Sequence, residues 1–316
     1  MVYKQVRLRF IFSTKRWEEK LSTVSANGIQ IEYDTFGEHS SPVLLLIAGL
    51  GSQMITWPDE FCTHIADHGL YLMRFDNRDV GLSSKFGEAG MPDIMGLVAG
   101  KIGGDVEAPY SLVDMANDAA GLLDAVGISK AHICGRSMGG MIAQEFALNH
   151  TDRTLSLTSI YSTTGNPDLP QATPQAMRAL MEPAPEEREA YIDYYVEGFK
   201  AWVGSGLPFN EICYRNLAAK SFDRCFYPQG TVRQAAAVIA QNNRKPSLSK
   251  LDIPTLVVHG DDDPLIPLEA GRDTADAIPS AELLIIKGMG HELSEMNGYW
   301  LRISDAIVKH IRKVTL

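Results

Sequence analysis

A serine flanked by glycines at positions 135–139 (Gly-Arg-Ser-Met-Gly) has the spacing of a catalytic nucleophile. The apolar segment 132–134 precedes it and a run of helical pattern, 138–149, follows it, so the context is strand, sharp turn and helix, as this motif requires. Glycines suit the turn because side chains there would collide with the adjacent strand or helix. The motif also fits a glycine-rich turn whose serine caps a helix, and the rest of the chain must separate the two interpretations.

A serine hydroxyl becomes a good nucleophile when a neighbouring base takes its proton and a carboxylate orients that base. His291 is the candidate base, because it ends a Gly-Met-Gly-His turn directly after a predicted strand and can reach over the edge of a sheet. His132 and His259, which begin and end strands, are interpreted as packed against their neighbours.

Three consecutive aspartates, 261–263, follow the preceding strand and supply the candidate acid. Asp263 is favoured, since Pro264 holds it extended and turns its side chain away from that of Asp262. Asp168, after an earlier strand, is a more distant alternative. The order Ser137, Asp263, His291 therefore predicts a catalytic triad.

Alternating strands and helices supply the frame for these residues. Strands are predicted at 22–26, 29–36, 43–48, 70–75, 132–134, 155–161, 255–259 and 282–286, with core helices at 58–68, 110–126, 138–149, 268–277 and 293–312. Asn27-Gly28 favours a hairpin between the first two strands, whereas 43–48 is apolar throughout, as in a strand covered on both faces. Segment 86–110 is glycine-rich with little regular pattern and is predicted to be a loop.

The alternation stops after the sixth strand, where four helical runs follow one another at 174–182, 185–203, 209–225 and 229–243. A helical insertion between consecutive strands of a parallel sheet is most economically a cap over the carboxyl ends of the strands, where ligands bind in such folds. We therefore predict a core at 21–163 and 251–316, a cap at 164–250 and a basic N-terminal extension at 1–20. Residues 161–230 hold 11 of the 26 aromatic residues, which suits either an apolar pocket or the cap's own core.

Composition narrows the class of protein. With 45% hydrophobic and 22% charged residues among 316, the chain is typical of a globular protein with a large core. Its formal net charge of -10 argues against nucleic acid or an anionic membrane as partner. The first twenty residues carry six Lys or Arg against two Glu and lack the features of a signal peptide.

The four cysteines, Cys62, Cys134, Cys213 and Cys225, show no C-x-x-C spacing, so free thiols in the cytoplasm are expected, with a Cys213–Cys225 disulfide as the alternative. No apolar stretch is long enough to span a membrane.

Several motifs in this order and spacing resemble the α/β-hydrolase superfamily from about Ser22 to Arg312. Segments 51–59, 74–83, 110–127 and 288–291 resemble its branch of aclacinomycin methylesterase-like carboxylesterases. The resemblance implies an α/β-hydrolase fold, a mostly parallel sheet flanked by helices with a helical cap after the sixth strand. It also implies that Arg78, Gly81 and Ser83 brace the loop after the fourth strand.

An oxyanion needs two preorganised donors, and the resemblance assigns them to the backbone N–H groups of Leu50 and Met138. Ala48-Gly49 stands where such enzymes commonly have His-Gly, a change that retains the backbone donor.

The sequence thus predicts a serine hydrolase of carboxylic esters with a small-molecule substrate and no cofactor or metal. Within enzymes, the same triad serves an aminopeptidase, a perhydrolase or a carbon–carbon bond hydrolase, and outside enzymes the fold serves a ligand-binding receptor. An aminopeptidase would need an acidic pair in the cap, for which Glu186 and Glu187 are present but look solvated. The pattern specifies neither the oligomeric state nor the substrate-binding residues.

Overall fold

The structure is a computed structural model that describes residues 21–100, 107–293 and 298–315. Eight strands form one sheet in the order β1-β2-β4-β3-β5-β6-β7-β8. The strands are β1 (Ser22–Ala26), β2 (Ile29–Phe36), β3 (Val43–Ile47), β4 (Tyr71–Phe75), β5 (Ala131–Arg136), β6 (Thr154–Ile160), β7 (Thr255–Gly260) and β8 (Ala281–Ile286). Only β2 runs antiparallel to its neighbours, β1 and β4, and the remaining pairs are parallel.

The predicted hairpin is present. Asn27 and Gly28 both have positive φ, 49° and 78°, which is the backbone that a two-residue hairpin turn requires. It pairs β1 with β2 in register from Ser22–Tyr33 to Ala26–Ile29.

Helices cover both faces of the sheet, and the strand residues alternate between them. Leu45 and Ile47 pack with α3 (Leu112–Ala125) and α4 (Met138–Asn149), whereas Leu44 and Leu46 pack with α1 (Asp59–Asp67) and α11 (Tyr299–Thr315). Every residue of β3 from Leu44 to Ile47 is therefore fully buried, as its unbroken apolar sequence predicts. The α10 helix (Leu268–Ala277) connects β7 to β8.

Five helices occupy the insertion between β6 and β7: α5 (Pro174–Met181), α6 (Arg188–Lys200), α7 (Glu211–Arg224), α8 (Pro228–Ile239) and the short α9 (Lys245–Leu248). The first four match the four predicted helical runs, whereas the one-turn α9 was not predicted. None of the helices in the described ranges combines the length and apolar content needed to cross a membrane. All four cysteines are free thiols, so the alternative disulfide is wrong. Cys213 lies within α7 and Cys225 follows its last residue, too far apart along the helix for a disulfide.

Two expectations about elements need correction. Segment 86–110 contains a helix, α2 (Ile94–Gly100), because the Asp93 side chain accepts from the Gly96 N–H and Leu97 is buried. The last helix begins at Tyr299 in the described residues and not at Leu293. Leu293 is not helical, and two residues before it the His291 N–H donates to the Trp202 carbonyl. The predicted extension at 1–20 lies outside the described residues.

Buried His132 makes stability depend on pH. Burial, together with the nearby His310, lowers the pKa of His132 from 6.5 to about 4. The unfolded chain therefore binds more protons between these values, and we expect stability to fall as the pH falls from 6.5 to 4, by about 3 kcal/mol in total. Urea unfolding at several pH values measures this loss. His132→Gln, which can still bond Ser156, should flatten the slope, whereas His39→Gln at an exposed site should not. An unchanged slope in His132→Gln would refute the assignment.

Candidate active site

Ser137 occupies the turn between β5 and α4 in a strained conformation, with φ 54° and ψ -125°. The turn is possible because the backbones touch at the flanking glycines. A Cβ on Gly135 would lie 1.9 Å from the Gly139 carbonyl oxygen, and one on Gly139 would lie 2.1 Å from that of Ile47. These contacts give the two motif glycines the role that the sequence predicts. A non-glycine residue at positive φ is uncommon and is typical of functional sites.

The three residues predicted as a triad meet at the carboxyl ends of β5, β7 and β8. His291 Nε2 lies 2.9 Å from Ser137 Oγ, and His291 Nδ1 lies 2.8 Å from Asp263 Oδ2. Because the carboxylate only accepts, Nδ1–H donates to it and Nε2 is left to accept the serine proton. His291 and Asp263 are buried, whereas Ser137 is partly exposed.

Both carboxylate oxygens of Asp263 accept hydrogen bonds. Its Oδ1 accepts from the N–H groups of Leu265 and Ile266, each at 2.9 Å, while Oδ2 faces His291. Its two neighbours have other partners, since Asp262 accepts from the Ser205 N–H and Asp261 from the Gly288 N–H. The three aspartates thus point to three different groups.

The alternative residues make other contacts. Asp168 is exposed and has no contact with His291. His132 bonds Ser156. His259 lies beside the triad, since its Nε2 is 3.7 Å from Asp263 Oδ2, but this nitrogen donates to the Ile266 carbonyl at 2.8 Å. Burial lowers the pKa of His259, against the opposing effect of Asp263, so it stays neutral.

The candidate oxyanion donors belong to two segments next to the serine. Met138 is the first residue of α4, so its N–H has no acceptor within the helix. Leu50 follows Gly49, whose Cα faces Ser137: a Cβ on Gly49 would lie 3.3 Å from the serine Cβ. The N–H of Gly51 donates to Gln234 Oε1 at 2.8 Å. This bond ties the loop after β3 to helix α8 of the insertion.

Arg78, Gly81 and Ser83 make structural contacts around the loop after β4, as the resemblance implies. Arg78 pairs with Asp118 at 2.6 Å, and Ser83 Oγ donates to the Asp76 carbonyl. Gly81 has φ 54° and lies against the Asp76 side chain, where a Cβ would lie 2.1 Å from the carboxylate. Arg78 thus ties the loop to α3, and Gly81 and Ser83 pack on Asp76 at the end of β4.

The insertion also holds the histidine. The interlock, defined as residues 202–206 packed on 288–292, is joined by hydrogen bonds from His291 N to Trp202 O (2.8 Å), Gly206 N to Gly288 O (2.9 Å) and Gly204 N to Glu292 Oε1 (3.1 Å). The two backbones touch, because a Cβ on Gly204 would lie 2.2 Å from the Gly288 oxygen.

Sequence reasoning missed the interlock, Gln234 and Tyr161, whose ring centre lies 4.7 Å from that of His291. The glycine pairs Gly204/Gly206 and Gly288/Gly290 are a local signal for the interlock.

Most aromatic rings of the insertion pack on one another. Nine of them form a continuous set of ring contacts: Tyr191, Tyr194, Tyr195, Phe199, Trp202, Phe209, Tyr214, Phe222 and Phe226. Of the two explanations for the aromatic enrichment, these contacts favour a core for the insertion itself.

The chain matches the alpha/beta hydrolase fold family over residues 42–297 and belongs to that family. The fold class predicted from the sequence is confirmed, and so is the prediction of an esterase-type hydrolase.

Among relatives, the chain is 28% identical over 300 residues to rhodomycin D methylesterase DauP of Streptomyces sp. (strain C5), covering 85% of this chain and 91% of the relative. It is 29% identical over 279 residues to rhodomycin D methylesterase DnrP of Streptomyces peucetius, covering 81% and 87%. Both confirm the resemblance to the methylesterase branch.

A thermophilic esterase from Thermogutta terrifontis shares the fold, with a TM-score of 0.65 at 22% identity over 93% of this chain and 99% of that one.

We expect Gly204→Ala to displace the histidine loop and to slow phosphonylation of Ser137 by a fluorophosphonate about 100-fold, since misplacement by about 1 Å has effects of this size. The added methyl group has no space between the two backbones. Gly198→Ala is the matched control, because the nearest atom to its Cβ lies 3.9 Å away. Equal labelling rates for wild type and Gly204→Ala would contradict the role of the interlock.

Proposed function

We propose that the protein is a carboxylesterase-type serine hydrolase that cleaves carboxylic esters through an acyl-enzyme on Ser137. The observation that carries the proposal is the unbroken chain of hydrogen bonds from Ser137 Oγ through His291 to Asp263. Ser137 Oγ attacks the ester carbonyl while His291 Nε2 takes its proton, and Asp263 stabilises the resulting imidazolium. His291 then protonates the leaving alcohol. Water, activated by the same nitrogen, releases the acid.

The N–H groups of Leu50 and Met138 would bind the oxyanion of each tetrahedral intermediate. Three observations support these donors: Met138 directly follows Ser137, Gly49 before Leu50 packs on Ser137, and the Gly51 N–H after Leu50 donates to Gln234 Oε1. Donors fixed before the reaction stabilise developing charge without reorganisation.

Residues 164–250 would form a cap domain over the core of 21–163 and 251–316, and would decide which ester binds. Two ion pairs that join insertion and core support this division: the buried pair of Arg233 with Asp79 at 2.8 Å and the partly buried pair of Arg224 with Asp76 at 2.7 Å. The printed names of the two Streptomyces relatives describe methylesterases, so we extend the proposal to methyl esters. The free thiols suit a reducing cytoplasm as the site of action.

The acidic pair that an aminopeptidase would need, Glu186 and Glu187, is not placed to bind a substrate amine. Glu187 accepts from the N–H groups of Glu189 and Ala190 and caps α6, and Glu186 is exposed. Neither carboxylate is available in the site to hold an amine.

Ser137→Ala should lower kcat/KM for p-nitrophenyl esters by at least about 10⁴-fold, because the alanine removes the nucleophile and leaves only the oxyanion donors and binding. Ser137→Ala combined with His291→Ala should be no slower than either variant alone, since the two residues act as a unit. Initial rates on esters of increasing chain length, with aminoacyl anilides in parallel, provide the measurement.

Ester turnover retained by Ser137→Ala would contradict the proposed mechanism. Cleavage of anilides without any ester would favour the peptidase, and neither turnover nor fluorophosphonate labelling would favour the receptor.

A further inference from the structure

Arg136, the residue before the nucleophile, is a buried arginine without a carboxylate partner. It is 8% exposed and one of five buried arginines in the described residues. The other four each face a carboxylate: Arg74 with Asp34, Arg78 with Asp118, Arg233 with Asp79 and Arg244 with Glu145. Among the described residues, none offers a carboxylate within ion-pairing distance of Arg136. Its charge is therefore uncompensated in a site where an unpaired charge is costly.

The contacts that Arg136 does make leave donors free. Its Nη2 donates to Thr56 Oγ1, and its Nη1 lies at 3.4 Å from the Tyr161 hydroxyl, a long bond. The guanidinium carbon lies 5.1 Å from the ring centre of Trp57, which is fully buried. Arg136 Nε and Trp57 Nε1 are both buried and have no acceptor in the described part of the chain. Two adjacent side chains thus each carry an unused N–H.

These donors lie close to the reacting residues. Arg136 directly precedes Ser137, and Tyr161, which the guanidinium contacts, places its ring 4.7 Å from that of His291. Asp263 forms no ion pair with Arg136, and its oxygens accept instead from His291, Leu265 and Ile266. The guanidinium is separated from the histidine by one aromatic ring.

We propose that Arg136, with Trp57 Nε1, binds a carboxylate that the substrate carries in addition to its ester. The proposal rests on the proposed ester hydrolysis and specifies its substrate class. A carboxylate matches the single positive charge and accepts two N–H bonds from a planar guanidinium. A phosphate dianion would leave a negative charge unpaired among the buried rings. The subsite selects for esters that are also anions, although the protein as a whole is negative.

The test compares esters that differ by one carboxylate. Methyl hemiesters of the dicarboxylic acids from succinate to suberate place the carboxylate on the acyl side, and acetoxy carboxylic acids place it on the alcohol side. Methyl and acetyl esters of equal length are the neutral partners. We expect wild type to have a higher kcat/KM for the anionic member in one series. Arg136→Met should lower the anionic-to-neutral ratio about 100-fold. Arg188→Met, which removes a charge from the exposed pair with Asp223, should leave the ratio unchanged.

A second measurement does not depend on a folded variant: the free dicarboxylates should compete with neutral ester hydrolysis by wild type. The carboxylate subsite alone would be overturned if the protein cleaves neutral esters through Ser137, shows no preference for the anionic esters, and is not inhibited by the free dicarboxylates. No cleavage of any ester would instead refute the proposed function. A ratio that is the same in Arg136→Met and wild type would also overturn the subsite, with Arg136 then stabilising the fold through Trp57 and Thr56.

Discussion

The close approach of two backbone segments at Ser137 is the constraint on which the rest of the site depends. A residue held at positive φ costs about 1–3 kcal/mol, and here the surrounding packing must offset that cost. Gly135 and Gly139 permit the contact, and Gly140 lies against Ser162, where a Cβ would be 2.5 Å from the serine Cβ. The contact sets both the direction of the serine oxygen and the start of α4. The proposed nucleophile and one candidate oxyanion donor are therefore fixed by the same turn.

The loops after β3 and β4 are positioned by contacts between residues that are far apart in the sequence. Gln234 on α8 accepts from the Gly51 N–H and donates to the Arg78 carbonyl at 2.7 Å. It joins the loop after β3 to the loop after β4. The nearby pair of Arg233 with Asp79 is fully buried, so loss of either partner would leave a buried charge. The insertion thus fixes two loops of the core through side chains of α8.

Much of this arrangement could be predicted from local sequence. Apolar runs and turn pairs indicated all eight strands, because a strand covered on both faces must be apolar and a tight hairpin requires residues that tolerate positive φ. The meeting of Ser137, Asp263 and His291 could be predicted because each follows a predicted strand, and the carboxyl ends of parallel strands lie at the same edge of a sheet. The helix α2 was missed since its pattern is short and glycine-rich, and its start depends on the single side chain of Asp93.

Contacts between distant residues could not be predicted in the same way. Gln234 lies 183 residues from Gly51, and nothing in its neighbourhood on α8 distinguishes it from a surface glutamine. Arg136 occupies a variable position of a short motif, and its lack of a carboxylate partner is visible only when Thr56, Trp57 and Tyr161 are assembled around it.

The interlock has a consequence for recombination between relatives. Because glycine backbones at 204 and 288 leave no space for a side chain, the two loops are a matched pair although they belong to different parts of the chain. A chimaera that takes its insertion from another hydrolase would keep its histidine in place only if the loop at 288–292 came from the same parent. The natural exchangeable unit is therefore the insertion together with the histidine loop.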